Sequence, residues 1–370
     1  MVIVVIGLIA ISLFYAQKYL YKNWWNKEVF VSLKFQDDTV RAGEQTSLSE
    51  VVENHKWLPL PALKVKFQCS SDILFVADKS SQVSDMYYRN DLFSLMPFRR
   101  ITRTHKIICS HRGYYGIRGI DLVGADLFLS QEMVESRAGE TWIHVIPALE
   151  QVPELDAAIQ MINGEIAHRR HLLTDPFAFR GIREYTPFDE VKTVNWKASA
   201  KSDDLKVNVH DYSATSSMSI FINVRDRELS AFADQIEKAI GIGAYLADIY
   251  LANGVNVSIY ANGRDILSGN IICAEGYNDR KQLEQIHKML ARIDLSREVE
   301  PFENFEERMK IKSGRMIVVI SPDWLEELQD LLCRLDGQQD FIWLCPCRKE
   351  ADVKIREELR EQTLLIPDKI

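Results

Sequence analysis

Residues 1–21 read MVIVVIGLIAISLFYAQKYLY, a nearly uncharged apolar run that sets the layout of the whole chain. At about 1.5 Å of rise per residue, a helix of this length reaches roughly 31 Å, close to the hydrocarbon thickness of a bilayer. Lys18 lies near enough to the end of the run to extend its ammonium group to the water interface. The run therefore predicts a transmembrane helix, followed by a juxtamembrane segment up to residue 27.

Two other interpretations of this run are a cleavable signal peptide and a buried core helix. A signal peptide has basic residues before its apolar stretch and small residues at its cleavage site, whereas residues 1–6 carry no charged side chain and the end of the run is bulky. The nearby basic residues, Lys18, Lys22 and Lys27, lie towards the end of the run or beyond it. Under the positive-inside rule they predict a single-pass cell-membrane protein whose soluble part is cytoplasmic.

The composition of the 370 residues, 46% hydrophobic and 26% charged, is that of ordinary globular domains. A net charge of −8 argues against a nucleic-acid-binding protein, because such proteins need a basic face to displace counterions from phosphates. The 6 cysteines lack the paired spacing of a zinc site and read as free thiols. With no phosphate-binding glycine loop after a strand, the sequence predicts neither a bound metal nor a cofactor.

Residues 28–150 predict a β-sandwich-like domain. Side chains alternate between apolar and polar over Val29–Phe35 and again over residues 62–69, and residues 41–44 form a turn pattern. Many short strands without a regular repeat favour a two-sheet sandwich over a closed barrel.

After residue 215 the pattern changes to strands that alternate with helices. Strands are predicted at residues 218–224, 255–260, 266–273, 315–320, 341–344 and 364–366, and helices at residues 229–252, 278–293, 322–335 and 350–362. Asn262 and Gly263 form a turn pattern. Strands separated by such helices predict a mainly parallel sheet covered on both faces. The fold class is thus α+β multidomain, with a Rossmann-like α/β domain at residues 216–370.

Residues 151–215 connect the two domains and contain a charged, aromatic segment at residues 181–209. It includes GIREYTPFDE (residues 181–190) and KTVNWKASAK (residues 192–201). This segment resembles the signature of the bacterial domain-of-unknown-function fifty-eight family, with some departures. Phe188 replaces a glycine, Asn195 replaces an acid or histidine, and Lys192 and Lys201 replace arginines.

The signature positions are predicted to be structural or to contact a partner, and they are Arg183, Glu184, Tyr185, Asp189, Lys192, Asn195, Trp196, Lys197 and Lys201. Cations and anions are nearly balanced here, which favours internal ion pairing. Arg183 and Asp189 are the expected pair, since a guanidinium can clamp a carboxylate with two parallel bonds. Trp196 is expected to pack beneath this loop, and the odd-numbered side chains of a strand at residues 205–209 are expected to be buried.

The C-terminal domain resembles a von Willebrand factor A domain, in which D-x-S-x-S at the end of the first strand often binds a divalent cation. In this chain the corresponding positions are Asn223, Arg225 and Arg227. Because arginine cannot ligate a metal, the metal site is expected to be lost. Asp323 remains as an isolated acid that favours the start of the next helix.

Two functions from different classes fit this sequence. The resemblance implies a membrane-anchored, non-enzymatic scaffold that works with a MoxR-type AAA+ ATPase and other A-domain proteins in assembling or activating envelope or enzyme complexes. The alternative is a metal-dependent hydrolase or nuclease centred on Glu184, Asp189 and Lys192, where carboxylates would hold magnesium. The first function requires no catalytic residue, and none is predicted.

Overall fold

The computed structural model describes residues 2–76, 86–148, 153–172, 174–186, 194–201, 204–212, 217–226, 232–275, 280–311, 315–336 and 339–368. The chain divides into two compact units, Met1–Ala148 and Leu149–Ile370. The first unit contains the N-terminal helix and a β-rich domain. The second contains the signature segment and an α/β sheet.

The N-terminal helix α1 (Val2–Trp24) has 23 residues and is long and apolar enough to cross a membrane. Its apolar part is not buried in the protein, so the predicted apolar helix is present and fits a membrane anchor or a signal sequence. The end of α1 behaves differently. Tyr21 is only 2% exposed and Trp25, just beyond the helix, only 4%, because both pack into the core of the β-rich domain.

The β-rich domain contains two sheets. Its strands are β1 (Val29–Phe35), β2 (Thr39–Arg41), β3 (Gln45–Asn54), β4 (Leu60–Ser70), β5 (Ile73–Phe75), β6 (Met86–Leu95), β7 (Arg99–Cys109), β8 (Gly113–Ala125) and β9 (Glu132–Ile146). One sheet has the order β1-β3-β7-β5 and the other the order β2-β9-β8-β4-β6. All pairs are antiparallel except β2 with β9, which is parallel.

One apolar core joins the inner faces of these two sheets, as the predicted sandwich requires. In β3, every second side chain is buried, and Leu48 and Val52 are fully enclosed. They share the core with Leu63 of β4 and Ile117 of β8, which belong to the other sheet. The turn predicted at residues 41–44 is also present, and its glycine has a positive φ of 84°.

The second unit alternates helices and strands. Its elements are α2 (Pro153–Leu172), β10 (Thr174–Glu184), α3 (Trp196–Ser199), β11 (Lys206–Tyr212), β12 (Ser217–Ile222), α4 (Ala233–Ala252), β13 (Asn256–Asp265), β14 (Ile271–Ala274), α5 (Arg280–Ala291), β15 (Ile293–Asp294), α6 (Glu306–Ile311), β16 (Met316–Ile320), α7 (Glu326–Leu335), β17 (Phe341–Cys347) and β18 (Thr363–Pro367). Strands β10 and β11 form a separate antiparallel pair.

The large sheet has the order β14-β13-β12-β16-β17-β18, and β15 pairs with β13. Strands β13, β12, β16, β17 and β18 are mutually parallel. Alternate side chains enter two different cores: Ile220 and Val318 pack with α2, α4 and α5, whereas Phe221 and Val319 pack with α6 and α7. The sheet is therefore covered by helices on both faces, as the alternating pattern predicted.

Two local predictions in this unit are wrong. Residues 350–362 do not form one helix but two short 3-10 segments, Glu350–Asp352 and Glu357–Gln362. Between them, Gln329 of α7 accepts from the Arg356 amide at 2.9 Å and donates to the Lys354 carbonyl at 2.9 Å, which holds the backbone extended. Asn262 is not in a turn either, because it is fully buried within β13.

Helix α2 lies in the region described above as a connection, where no helix was predicted. Leu155, Ala158, Ile162 and Ile166 follow helical spacing and are buried in the core of the large sheet. Apolar residues away from this stripe, such as the exposed Met161, weaken the helical period and concealed the helix in the sequence. The N-terminal part of the predicted connection therefore belongs to the second unit.

Candidate functional site

The signature segment is organised by Asn195. Its backbone amide donates to the Lys206 carbonyl at 2.7 Å, and its side-chain oxygen accepts from the Ala198 amide at 2.9 Å, which caps the single turn of α3. Its side-chain nitrogen donates to Asn208 Oδ1 at 2.6 Å. Asn195 thus fastens α3 to β11 with both its backbone and its side chain.

A second link between α3 and β11 comes from Ser199. The Lys206 amide donates to Ser199 Oγ at 2.8 Å, and the same hydroxyl lies 2.9 Å from the Asn195 carbonyl, to which it donates. Beneath this polar network Val194 and Val207 are 7% and 1% exposed and form an isolated β-bridge. The short helical turn therefore has a fixed position although it is too short to be stable by itself.

Trp196 occupies a different place from the one predicted. It is 65% exposed, and Lys197 and Lys201 nearby are exposed as well. The inward positions are already taken by Val194 and Val207, and Asn195 directs the next residue outward by capping the turn. The expectation that Trp196 packs beneath the loop is therefore wrong, and this indole faces solvent on a rigid support.

The Arg183 side chain, predicted to clamp Asp189, is exposed. Its Nη1 donates to the Glu184 carbonyl at 3.0 Å. Asp189 lies outside the described residues. The Tyr185 amide donates to the Leu205 carbonyl at 2.8 Å, and Leu205, predicted to be buried, is 47% exposed. Val207 is buried as predicted.

Of the three residues of the alternative enzymatic site, Glu184 lies in the described part of the chain. Glu184 is exposed near the end of β10, where it lies opposite Lys206 of β11. Asp189 and Lys192 lie outside the described residues. The described geometry around Glu184 thus contains a cross-strand pair of opposite charges, which is an ordinary way to stabilise a strand pair.

At the carboxyl ends of the parallel strands, three neutral side chains are fully buried and bonded to one another. Asn262 Nδ2 donates to Asn223 Oδ1 at 2.9 Å, and Asn223 Nδ2 donates to Ser321 Oγ at 3.0 Å. Asn223 Oδ1 also accepts from the Arg225 amide at 3.1 Å, so both of its lone pairs are used. A cation at this edge would have to break these bonds before it could be ligated.

Arg225 itself points along the surface towards α7, where its Nη1 lies 3.4 Å from Glu327 Oε2. Arg227 lies outside the described residues. Asp323 Oδ1 accepts from the Leu325 amide at 3.0 Å just before α7 begins, which agrees with the predicted role at a helix start. Buried amides and a serine hydroxyl, and not the Arg225 side chain, therefore occupy the carboxyl ends of these strands.

A buried charged cluster in the first unit was missed by the sequence analysis. His105 Nε2 of β7 lies 3.0 Å from Glu50 Oε2 of β3 and 3.6 Å from Asp91 Oδ2 of β6, so the cluster bridges the two sheets. Asp91 also binds Arg89 at 2.5 Å and Arg103 at 3.0 Å. The three ligand-type groups lie within 4.8 Å of one another, a separation that would allow a metal ion.

The charges around this cluster favour a structural role. Two guanidinium groups already neutralise Asp91 and would repel a cation. Burial raises the pKa of Glu50, while its hydrogen bond with His105 opposes the rise. One feature of the sequence could have indicated the cluster. Glu50 lies on the same face of β3 as Leu48 and Val52, so the alternation of the strand predicts that it is buried.

Comparisons with known proteins do not assign a family. No family model matches the chain, and no curated protein matches it. Among solved structures, a CARDB domain from Pyrococcus furiosus in complex with di-metal ions is 16% identical, with a TM-score of 0.22, over 32% of this chain and 94% of that one. Trypsin-activated alpha-2-macroglobulin from Escherichia coli is 19% identical, with a TM-score of 0.25, over 33% of this chain and 7% of that one.

A third solved structure gives the same result. A PapD-like domain of human CEP192 is 18% identical, with a TM-score of 0.20, over 33% of this chain and 87% of that domain. Each of these similarities covers about a third of the chain at a low score, so none carries an argument about its function.

Proposed function

We propose that this protein is a membrane-anchored, non-enzymatic scaffold that binds a protein partner through its signature segment. The observation that carries the proposal is the exposed indole of Trp196, held on a turn that Asn195 and Ser199 bond to β11. Tryptophan is the residue type most enriched among those that dominate binding energy at protein interfaces, and a preformed support lowers the entropy cost of binding.

The surroundings of Trp196 favour a partner with an acidic surface. Lys197 and Lys201 lie on the same exposed turn and its C-terminal end, so positive charge borders the indole. Charges at the rim of an interface mainly select the partner and speed its association. The resemblance of the signature segment adds the partner class, a MoxR-type AAA+ ATPase.

The membrane anchor in this proposal is α1. Lys18 and Lys22 near its end and Lys27 just after it support a cytoplasmic soluble part, by the positive-inside rule. A cytoplasmic AAA+ ATPase could then reach the signature segment. The neutral amide network around Asn223 supports a role without metal chemistry at the large sheet.

The test is a pull-down of a MoxR-type ATPase from the same organism by the full-length protein in detergent, with and without nucleotide. We expect Trp196→Ala to weaken capture at least tenfold, since removing a central interface tryptophan costs about 2 kcal/mol or more. Tyr88→Ala removes an aromatic side chain that is 72% exposed in the first unit and should leave capture unchanged.

Two outcomes would contradict the proposal. If the unmodified protein captures no such ATPase, the proposed partner class is wrong. If the unmodified protein and Trp196→Ala capture it equally, Trp196 is not part of the contact surface. The melting temperature of Trp196→Ala should match that of the unmodified protein, because exposed side chains contribute little to stability.

A further inference from the structure

The loop between β8 and β9, residues 126–131, presents three large apolar side chains in succession. Leu127, Phe128 and Leu129 are 51%, 61% and 64% exposed. A contiguous exposed apolar surface of this kind marks a contact with another apolar phase. The position of the loop beside α1 indicates which phase that is.

The loop is fixed to α1 by three contacts at successive positions along the helix. The rings of Phe14 and Phe128 lie 5.8 Å apart between centroids. Gln17 Nε2 donates to Asp126 Oδ2 at 2.9 Å, and Gln131 Nε2 donates to the Lys18 carbonyl at 3.1 Å. The depth of the loop in a membrane is therefore determined by the depth of this part of α1.

The helix itself places this part inside the hydrocarbon region. Lys18 is the first charged side chain of α1, and Phe14 precedes it by one turn, so that Phe14 lies about 6 Å deeper along the axis. Because a lysine stem can extend its ammonium to the interface from within the apolar layer, Lys18 does not prevent this depth. Phe128, in contact with Phe14, lies at the same level.

We propose that residues 127–129 insert into the membrane leaflet that contains the end of α1, as a second lipid contact of the β-rich domain. This inference rests on the proposed anchoring by α1. Together with the buried Tyr21 and Trp25, the insertion gives the first unit two attachments to the bilayer and fixes its orientation there.

Several polar groups of the loop have partners within the protein, which lowers the cost of an apolar environment. The carboxylate of Asp126 is fully buried and accepts from the Ser130 amide, the Ser130 hydroxyl, the Gln131 amide and Gln17 Nε2. The Leu129 amide donates to the Asp126 carbonyl at 3.0 Å and closes the turn.

Contact with α1 covers only part of the apolar surface of these three side chains. Phe128 remains 61% exposed although it contacts Phe14, and Leu127 and Leu129 remain more than half exposed. The apolar area of the loop thus extends well beyond what the helix covers. A lipid phase around α1 would cover the rest.

The test uses the full chain in phospholipid vesicles with one nitroxide label at a time. Half-buried Cys273 and Cys333 are first replaced by serine, while the other native thiols are buried. Labels are placed by Phe128→Cys, by Ile9→Cys in α1, and by Met96→Cys, a matched control that is 66% exposed in the same unit. The readout compares collision of the label with oxygen, which concentrates in lipid, and with a water-soluble nickel chelate.

We expect the oxygen-to-nickel ratio at residue 128 to be several-fold higher than at residue 96 and to approach the ratio at residue 9. If residue 9 is in lipid while residue 128 resembles residue 96, the insertion is refuted and the anchor stands. If residue 9 is itself in water, the anchor fails and the insertion fails with it. Leu127→Cys provides a second label should Phe128→Cys disturb the loop.

Discussion

At the scale of single residues, Glu50 and Lys56 are buried ionisable groups of the first unit with opposite consequences for the pH dependence of stability. Glu50 is fully buried, and Lys56 is 4% exposed. Lys56 Nζ donates to the Trp25 carbonyl at 2.8 Å and to the Lys27 carbonyl at 2.6 Å, so it caps the backbone where α1 enters the β-rich domain. Both groups are buried because they make bonds that only the folded chain can provide.

We expect Glu50→Gln to gain stability relative to the unmodified protein as the pH rises above 4.5. Burial raises the pKa of Glu50 above its ordinary value of 4.5, so the folded state binds its proton more tightly than the unfolded state does. The unmodified protein therefore loses stability as the pH rises from 4.5 through the folded pKa. Glutamine removes this loss and still accepts a hydrogen bond from His105.

Chemical unfolding of both proteins in detergent at several pH values between 4 and 8 measures this difference. A difference in unfolding free energy that stays constant across the range would show that Glu50 does not carry a raised pKa. Glu44→Gln, an exposed carboxylate in a turn of the same unit, is the matched control for loss of one acid.

Lys56→Met should show the opposite trend. Burial lowers the pKa of Lys56 from 10.5 to about 8, so the folded state releases this proton more easily than the unfolded state does. The unmodified protein then gains stability relative to Lys56→Met as the pH rises from 8 to 10.5, by up to about 3 kcal/mol. Chemical unfolding at several pH values measures this trend. A difference in unfolding free energy between the two proteins that stays constant from pH 8 to 10.5 would contradict the expectation.

At the scale of elements, close packing of α4 on the large sheet depends on a residue without a side chain. A Cβ added at Gly243 would lie 2.5 Å from Ile222 Cδ1 and 3.6 Å from Ile320 Cδ1. The distance between helix and sheet is thus set by two isoleucines at the ends of β12 and β16.

Two glycine-to-alanine substitutions in helices should change stability in opposite directions. Gly164→Ala in α2 meets nothing within 4 Å and should stabilise the second unit by about 0.5–1 kcal/mol, the gain expected from helix propensity. Gly243→Ala has the same gain but forces Ile222 to move, which costs about 1–3 kcal/mol. Thermal unfolding should show a higher melting temperature for Gly164→Ala and a lower one for Gly243→Ala than for the unmodified protein.

Equal shifts for the two alanine variants would mean that Ile222 relaxes without cost. The two variants can be compared because each substitution adds one methyl group inside a helix. The gain in helix propensity is the same in both and cancels in the comparison. The remaining difference reports packing against the sheet alone.

At the scale of the whole molecule, the described part of the chain offers two places where a divalent cation could be considered, and neither is favourable. The edge around Asn223 is closed by neutral amides, and the cluster of Glu50, Asp91 and His105 is flanked by two arginines. The amides at the sheet edge bond to one another, whereas in the cluster Glu50 Oε2 bonds to His105 and Glu50 Oε1 is buried without a hydrogen-bond partner.

We therefore expect millimolar magnesium or manganese to leave the melting temperature of the full-length protein unchanged. A site filled at one hundred times its dissociation constant would add about 2.7 kcal/mol to the free energy of unfolding. If the cation raises the melting temperature and Asn223→Ala abolishes this rise, a site lies at the sheet edge. If Glu50→Gln abolishes the rise, the site lies between the two sheets of the first unit. Either result would contradict the scaffold proposal in its present form.

The elements of this protein were largely determined by local sequence. The apolar run of α1, the strand β1 and the strand β16 follow from residue composition and period alone, because these features depend on neighbours within a few positions. The two-faced large sheet was predicted for the same reason. Helix α2 escaped prediction because its apolar residues are not confined to one face, which weakens its helical period.

The sites were decided by tertiary structure. Asp126 and Gln17 are 109 positions apart, and Glu50 and His105 are 55 apart, so no local pattern could predict that these groups meet. The burial of Trp196 was predicted wrongly for a related reason. Its exposure depends on which neighbouring side chains occupy the interior, and here these are Val194 and Val207. Local periodicity determines which face of an element is apolar, but only the packed chain determines which polar groups find partners and which apolar ones remain uncovered.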